Sequence, residues 1–424
     1  MAVSTTMKVL VVSQHFWPET FRINEVVESL VQRGCELTVL TGQPNYPDGK
    51  IFSGYRAVWI GSERHVSGYT IHRVPIAPRG RGGVLRLVTN YLSFMLGASL
   101  IGPFLLRGKR FDVVFVYAVS PILQVVPAIL IRSIKRARLV IWVQDLWPRS
   151  LEATGYVKSR WILSAVALLT GWIYRRADLL LVPSRGFEKI IRPSAPGVDI
   201  IFHPNPAERK VGRGGGNSSS DFKMPQGFCV VFAGNLGVAQ ALDTVLEAAA
   251  LLAAERDVNF VLVGSGTMLP QLTEEVRRRG LTNVSFPGRY PAAAMTEIYA
   301  RASALLVSLV RDDVLAEIVP SKVPTYLAAG RPIIAALEGE GAEVVRQSRA
   351  GIVVPPQDAS ALAAAVIALK QMPKTQRDAM GERGHKYFQE HYDPDRLAAA
   401  LLTHFERVSA GRDVCPKPIP RGPR

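Results

Sequence analysis

Between Phe228 and Leu337 the chain repeats one pattern: an apolar strand, a turn, then a helix. The first copy ends in Phe232-Ala233-Gly234-Asn235-Leu236-Gly237 and enters a helix near Gln240. The second is a strand over Ala304–Leu309, a loop, and a helix opening at Pro320 with Ser321 and Lys322 in its first turn. Continuously apolar strands separated by helices pair in parallel and bury both faces. A strand that stops in glycine before a helix gathers free backbone N–H groups and a positive dipole end at one place, which suits a phosphate. Lysine at a helix start opposes the dipole but complements a bound anion. Two such turns in one parallel sheet predict a nucleotide diphosphate held between them.

The same alternation runs on through strands Asn259–Val263, Val284–Phe286, Ile333–Leu337 and Gly351–Val354, with helices Gln240–Ala254, Leu269–Arg279, Ala292–Ala302 and Ser360–Lys370. This is a doubly wound domain. Two helices, Lys374–Tyr392 and Pro394–Val408, follow it. The N-terminal half opens on its own β-loop-α-β unit: strand Lys8–Ser13, helix Phe21–Gln32, strand Glu36–Thr41. It lacks G-x-G-x-x-G, which argues against a dinucleotide cofactor. Phe111–Tyr117, Leu139–Val143 and Leu179–Pro183 read as further central strands, and Gln144-Asp145 sits where open α/β sheets place ligands, at a strand's carboxyl end. At 424 residues the chain calls for two domains of roughly 200 residues each. The run Gly212–Ser220 reads as a flexible linker between them and Gly411–Arg424 as a disordered basic tail.

The net charge of +16 requires a partner or serves solubility. No nucleic-acid module is recognisable, so an anionic membrane surface or an anionic ligand is favoured. Two segments bear on this. Val84–Leu106 is strongly apolar but interrupted by Arg86, Asn90, Gly97 and Pro103; Trp161–Tyr174 is mostly apolar between Lys158, Arg160 and Arg175-Arg176. Either they are buried core helices or they are interfacial helices with basic flanks. The three cysteines, Cys35, Cys229 and Cys415, are scattered, and the apolar run Val9–Val12 is far too short for a signal peptide. A reducing cytoplasm follows as the expected compartment.

Gly234-Asn235-Leu236-Gly237, Gly264-Ser265-Gly266, and Pro320-Ser321-Lys322 leading to Gly330-Arg331-Pro332 occur in that order. Ser13-Gln14-His15-Phe16-Trp17-Pro18-Glu19, Trp147-Pro148 and Pro204-Asn205-Pro206 accompany them. On these motifs the chain, over about residues 7 to 408, resembles family 4 glycosyltransferases of the GT-B fold. Within that family it is similar to the bacterial group that builds colanic acid, O-antigen and capsule repeats and includes L-fucosamine transferases.

The resemblance implies an α/β protein of two Rossmann-like doubly wound domains facing a cleft. Residues 1–206 would take the acceptor, 207–227 would link, and 228–393 would bind the nucleotide sugar. The helix at 394–408 would return to the first domain, leaving 409–424 as the tail. It implies a hexosyltransferase of the retaining kind, working without metal or other cofactor. Asp312-Asp313 is adjacent rather than D-x-D, and no histidine cluster occurs. The donor would be a UDP-sugar, with an N-acetylated deoxyhexosamine as the sugar. The acceptor would be a polyprenyl-diphosphate-linked saccharide, placing the enzyme peripherally on the inner face of the plasma membrane. Two rivals share parts of this pattern: a GT-B epimerase of UDP-sugars and a non-catalytic scaffold for polysaccharide assembly.

Residue by residue, Asp145, Glu19 and Glu317 are the catalytic candidates. Gly234, Asn235, Gly237, Gln240, Arg289, Tyr290, Ser321, Lys322 and Thr325 are candidates for the donor, and His15, Trp17 and Gln144 for the acceptor. Each has a plainer reading: Asp145 as a cap, Glu19 as a first-turn acid, His15 as a core histidine, Lys322 as a solvated helix residue. The departures from the family also matter. Asn235 and Gln240 stand where many retaining members carry arginine and lysine, Thr325 where the second of two glutamates is expected, and Gln144 where a histidine often precedes aspartate. Lys322, with Arg289 or Arg331, must then supply the positive charge.

Overall fold

The computed structural model describes residues 6–80, 83–153, 159–207 and 222–411. The expected linker run 212–220 and the tail from residue 412 lie outside these. The chain divides into two compact units: one of residues up to Val182, Ile191–Ile201 and from Ala398 onward, the other of Pro183–Ile190 and Phe202–Leu397.

The first unit begins β1 (Lys8–Val12), α1 (Arg22–Gln32), β2 (Glu36–Thr41), β3 (Gly61–Arg64) and β4 (Thr70–Arg73). It continues α2 (Val84–Leu105), β5 (Val113–Ala118), α3 (Val125–Lys135), β6 (Arg138–Val143), α4 (Arg149–Ala153), α5 (Arg160–Tyr174) and β7 (Leu179–Val182). Then come α6 (Arg185–Ile191), which counts mostly with the second unit, and β8 (Asp199–Phe202). The sheet order is β3-β4-β2-β1-β5-β6-β7-β8, parallel from β4 to β7, with β3 antiparallel at the edge. β1 is central because Val9–Val12 are wholly buried, Val9 pairing with Leu37 on one side and Val113 on the other. Alternate strand residues divide the core. Val9, Val11, Phe115 and Tyr117 face α1 together with Leu401 and Phe405 from the last helix.

α2 and α3 pack together, and a Cβ on Gly102 of α2 would already crowd Leu40 of β2 and Ile131 of α3. The side of α2 turned to the protein is Asn90, Phe94, Ala98 and Gly102, each fully buried at four-residue spacing.

The second unit holds β9 (Phe228–Asn235), α7 (Leu242–Leu251), β10 (Val258–Ser265), α8 (Leu269–Arg279), β11 (Val284–Gly288), α9 (Ala292–Arg301) and β12 (Ala304–Ser308). These are followed by α10 (Asp313–Ala316), α11 (Lys322–Ala329), β13 (Ile333–Ala336), α12 (Gly339–Ser348) and β14 (Gly351–Val354). α13 (Ala359–Gln371), α14 (Lys374–His391) and α15 (Pro394–Ser409) complete the order. The sheet runs β11-β10-β9-β12-β13-β14, every pairing parallel. The strand alternation again makes two cores. Val230 and Phe232 pack with α7 and α13, while Val231 and Ala233 pack with α9, α11 and α12. Phe222, expected at the end of a flexible linker, is buried and set edge-on to Tyr290 at 5.4 Å. The order of the strands reverses between β9 and β12, so both copies of the repeated pattern end at neighbouring strand ends.

Candidate active site

In the second unit β9 and β10 run in register to their last residues, Gly234 opposite Gly264 and Asn235 opposite Ser265. Gly264 has φ of 144°, and a Cβ there would sit 1.9 Å from the Gly234 carbonyl oxygen. Only a residue without a side chain lets the two strands close this tightly. Gly264→Ala should therefore cost about 2–4 kcal/mol in chemical denaturation. Gly280→Ala, at φ of 63° with nothing near the added Cβ, should cost only about 1 kcal/mol and serves as the control.

Beyond Asn235 the chain does not run straight into a long helix as expected. A short 3-10 turn over Val238–Gln240 and Ala241 in the left-handed region (φ 47°) precede α7, which starts at Leu242. Nor are all the turn's amides free. Gly237 N–H donates to Gln240 Oε1 at 3.1 Å, and Leu236 N–H donates to the Ser265 carbonyl at 2.9 Å. Gln240 thus shapes the turn from within, while Gly234 and Asn235 remain exposed at the strand end.

Lys322 comes to this turn from α11. A Cβ on Gly234 would lie 2.8 Å from Lys322 Cε and 3.2 Å from its Nζ, so the lysine lies directly over the glycine. The ammonium also stands 4.4 Å from the centre of the Phe232 ring. Among the described residues no carboxylate pairs with it, and burial pushes its pKa down to about 8. Tyr326, one turn further along α11 and fully buried, is a residue the sequence reading did not single out. Its hydroxyl accepts from Ala233 N–H at 3.0 Å and lies 3.4 Å from the Ala233 carbonyl.

The remaining donor candidates are placed differently. Ser321 precedes α11 as its N-cap residue without a side-chain cap bond, and Thr325 Oγ1 donates to the Ser321 carbonyl within the same helix. Arg289 is exposed and Tyr290 packs on Phe222. Arg331 donates to the Ala300 carbonyl. The Glu317 carboxylate lies against Gly186 of α6, and its main-chain carbonyl accepts from Ser184 Oγ at 2.5 Å. Glu340 lies nearby, its pKa raised first by burial and opposed by the Arg185 amide. Asp312 caps α10, accepting from Val314 and Leu315 amides at 2.9 Å.

In the first unit the loop after β1 forms a buried polar knot. Glu19 accepts from the amides of Phe16 (3.2 Å), Asn45 (2.7 Å) and Tyr46 (2.7 Å), and lies 3.1 Å from His15 Nδ1. His15 stacks on Phe21 at 5.1 Å. Its Nδ1 faces a carboxylate, which assigns the proton there and leaves Nε2 as the basic nitrogen. The catalytic candidate Glu19 and the acceptor candidate His15 therefore form one hydrogen-bonded unit. Trp17 is partly exposed, edge-on to His65 at 5.1 Å, and its carbonyl accepts from the buried Arg73 at 2.5 Å. Asp145, half-buried beyond the end of β6, accepts from Ser120 N–H at 2.6 Å and Ser120 Oγ at 2.7 Å, and Trp147 Nε1 donates to the same hydroxyl. Gln144 is also half-buried, and its main-chain N–H donates to the Ala118 carbonyl.

Comparison with known proteins places this geometry. Residues 227–371 match the model for glycosyl transferases group 1, and residues 20–206 match that of a glycosyl transferase 4-like domain. An Escherichia coli K12 protein with the provisional name colanic acid biosynthesis glycosyl transferase WcaI is 25% identical, over 76% of this chain and 82% of its own. Among solved structures, sucrose-phosphate synthase from Thermosynechococcus elongatus aligns with a TM-score of 0.72 at 17% identity, covering 96% of this chain and all of that one. Anabaena Alr3699/HepE, solved with UDP and glucose, aligns with a TM-score of 0.64 at 14% identity, over 94% of this chain and 99% of that one. The matches cover both units in the order in which the chain builds them. This chain belongs to the family 4 glycosyltransferases of the GT-B fold, of the bacterial polysaccharide type.

Proposed function

We propose that the protein transfers a hexose-type sugar from a UDP-sugar to a polyprenyl-diphosphate-linked saccharide during assembly of a cell-surface polysaccharide. The observation that carries the donor half is the half-buried, carboxylate-free Lys322 ammonium held over the exposed Gly234 turn. A cation desolvated in this way is poised for an anion that is itself leaving water. HepE, a structural relative, was solved with UDP, which supports uracil as the base. The relative named for colanic acid biosynthesis supports a polysaccharide as the product. A lipid-linked acceptor on the cytoplasmic face of the membrane follows from the resemblance to the polysaccharide-building group. The resemblance to L-fucosamine transferases favours an N-acetylated deoxyhexosamine as the sugar.

In the proposed reaction the acceptor hydroxyl oxygen bonds to the anomeric carbon while the bond from that carbon to the diphosphate oxygen breaks. The configuration is retained, and the hydroxyl proton passes to the departing diphosphate. Lys322 and the Gly234 turn stabilise the charge that develops on that leaving group, the largest contribution expected from the protein. On the acceptor side we assign Asp145, oriented by Ser120, to hold the incoming hydroxyl.

Thermal unfolding with UDP, GDP, ADP and dTDP tests the donor. UDP at about 100 times its dissociation constant should stabilise the protein by ~2.7 kcal/mol, and the others by much less. A shift with a different nucleotide would move the donor to that base. No shift with any would return the scaffold reading.

A further inference from the structure

α2 is apolar on the wrong side. Its protein-facing residues are Asn90, Phe94, Ala98 and Gly102, anchored by Asn90, which accepts from Gln14 Nε2 at 2.7 Å and donates to the Ala77 carbonyl at 2.6 Å. Its outward face carries Leu85, Leu92, Leu96, Leu100 and Phe104, all exposed. An ordinary amphipathic helix has the opposite polarity. Two neighbours continue the patch: Leu130 and Ile134 on α3, and Trp161, Ile162 and Leu168 on α5. By length and composition α2 could cross a membrane, yet its buried side is packed against β2 and α3 as a crossover helix of the sheet. It would lie along a surface, about 33 Å of it, rather than through one.

Charge indicates what covers the patch. The carboxyl ends of the three helices meet at one edge, where Lys135 Nζ donates to the Leu106 carbonyl at 2.6 Å and Arg132 donates to the Arg176 carbonyl at 2.7 Å. Around that junction Arg107, Arg110, Arg136, Arg175 and Arg176 are exposed. Arg132, Arg136 and Arg138 also line a cavity of about 520 Å³ there together with Asp112; Arg132 and Arg138 are paired with Asp178, so the surplus positive charge lies with the exposed arginines. A second copy of a chain with net charge +16 would be repelled by such an edge; anionic lipid headgroups would be drawn to it.

We propose that the outward faces of α2, α3 and α5 form a docking surface for an anionic lipid bilayer, with apolar side chains in the headgroup–acyl boundary and the arginine edge among the phosphates. This deepens the lipid-linked acceptor reading by giving it a surface, and the test separates the two. Full-length protein is floated with vesicles of phosphatidylcholine alone and of equal parts phosphatidylcholine and phosphatidylglycerol. It should float with the mixed vesicles, and far less with phosphatidylcholine or at high salt. The variant Leu85→Glu/Leu100→Glu/Phe104→Glu should lose binding by about tenfold or more. These side chains are 79%, 67% and 77% exposed, so its melting temperature and UDP shift should stay at wild-type values. Arg107→Gln and Arg110→Gln should each weaken binding by roughly fivefold. Wild-type protein that stays unbound, or a triple variant that floats as well as wild type, overturns the proposal. A concentration-dependent dimer broken by the triple variant would overturn it in favour of a second copy. Flotation without any UDP shift would remove the donor reading and leave the docking surface standing.

Discussion

Lys322→Met is expected to weaken donor binding strongly while making the folded protein harder to melt. The donor effect follows from removing the half-buried cation over Gly234, which should cost about 2–4 kcal/mol, roughly 30- to 800-fold in UDP affinity. The stability effect runs the other way. Burial holds the Lys322 pKa near 8 in the folded protein, below the 10.5 of a free lysine. Between those values the unfolded chain binds the extra proton, so stability rises with pH across that window and the penalty is fully present below about pH 8. Methionine removes the cost of burying this charge, and partial solvation and the lost ring contact with Phe232 limit the net gain to about 1 kcal/mol at pH 7. The melting-temperature gap between variant and wild type should close as pH rises from 8 to 10.5. Calorimetric UDP affinity should show the matching signature: wild-type binding weakens above about pH 8, where the proton must be taken up, and the variant's does not. A Lys322→Met protein that binds UDP normally removes Lys322 from the donor site.

Glu19→Ala should be the most damaging single change in the first unit. The carboxylate is 2% exposed and serves three backbone amides and His15 at once. Alanine leaves all of these without their acceptor in a buried place, at a cost of about 3–5 kcal/mol. Against a typical total of about 5–15 kcal/mol, that leaves the unit marginal. Circular dichroism on melting should show early unfolding, and Glu19→Gln, which keeps an acceptor oxygen, should recover part of the loss. If Glu19→Ala instead melts like wild type and loses only turnover, Glu19 is the base and not the knot.

The pairing of Lys322 with Gly234 was legible because each motif marks the end of its own strand, and a parallel sheet brings such ends to one edge. Residues that reach across many positions were not legible. Nothing near Glu19 in sequence announces the amides of Asn45 and Tyr46, and nothing around Tyr326 announces Ala233. β3 and β4, Gly-Ser-Glu-Arg and Thr-Ile-His-Arg, carry no apolar run and escaped the strand pattern, and α12 with its two glycines escaped the helical one. α2 was misleading in a more instructive way. Asn90 and Gly97 read as interruptions of an apolar stretch. Yet Asn90 is the anchor on the buried side, and Gly97 permits close approach, since a Cβ there would lie 3.1 Å from the Pro75 carbonyl oxygen. Composition reports how apolar a helix is, not which side faces in.

The bond between Tyr326 and Ala233 also bears on how the donor site responds to its ligand. Lys322 and Tyr326 stand one turn apart on α11, and the tyrosine is fixed in the core to the residue just before Gly234. The cation and the turn it covers are therefore parts of one stiff body. A diphosphate bound as proposed would meet a site already arranged to receive it, with little ordering left to do, and affinity should depend more on charge than on induced rearrangement.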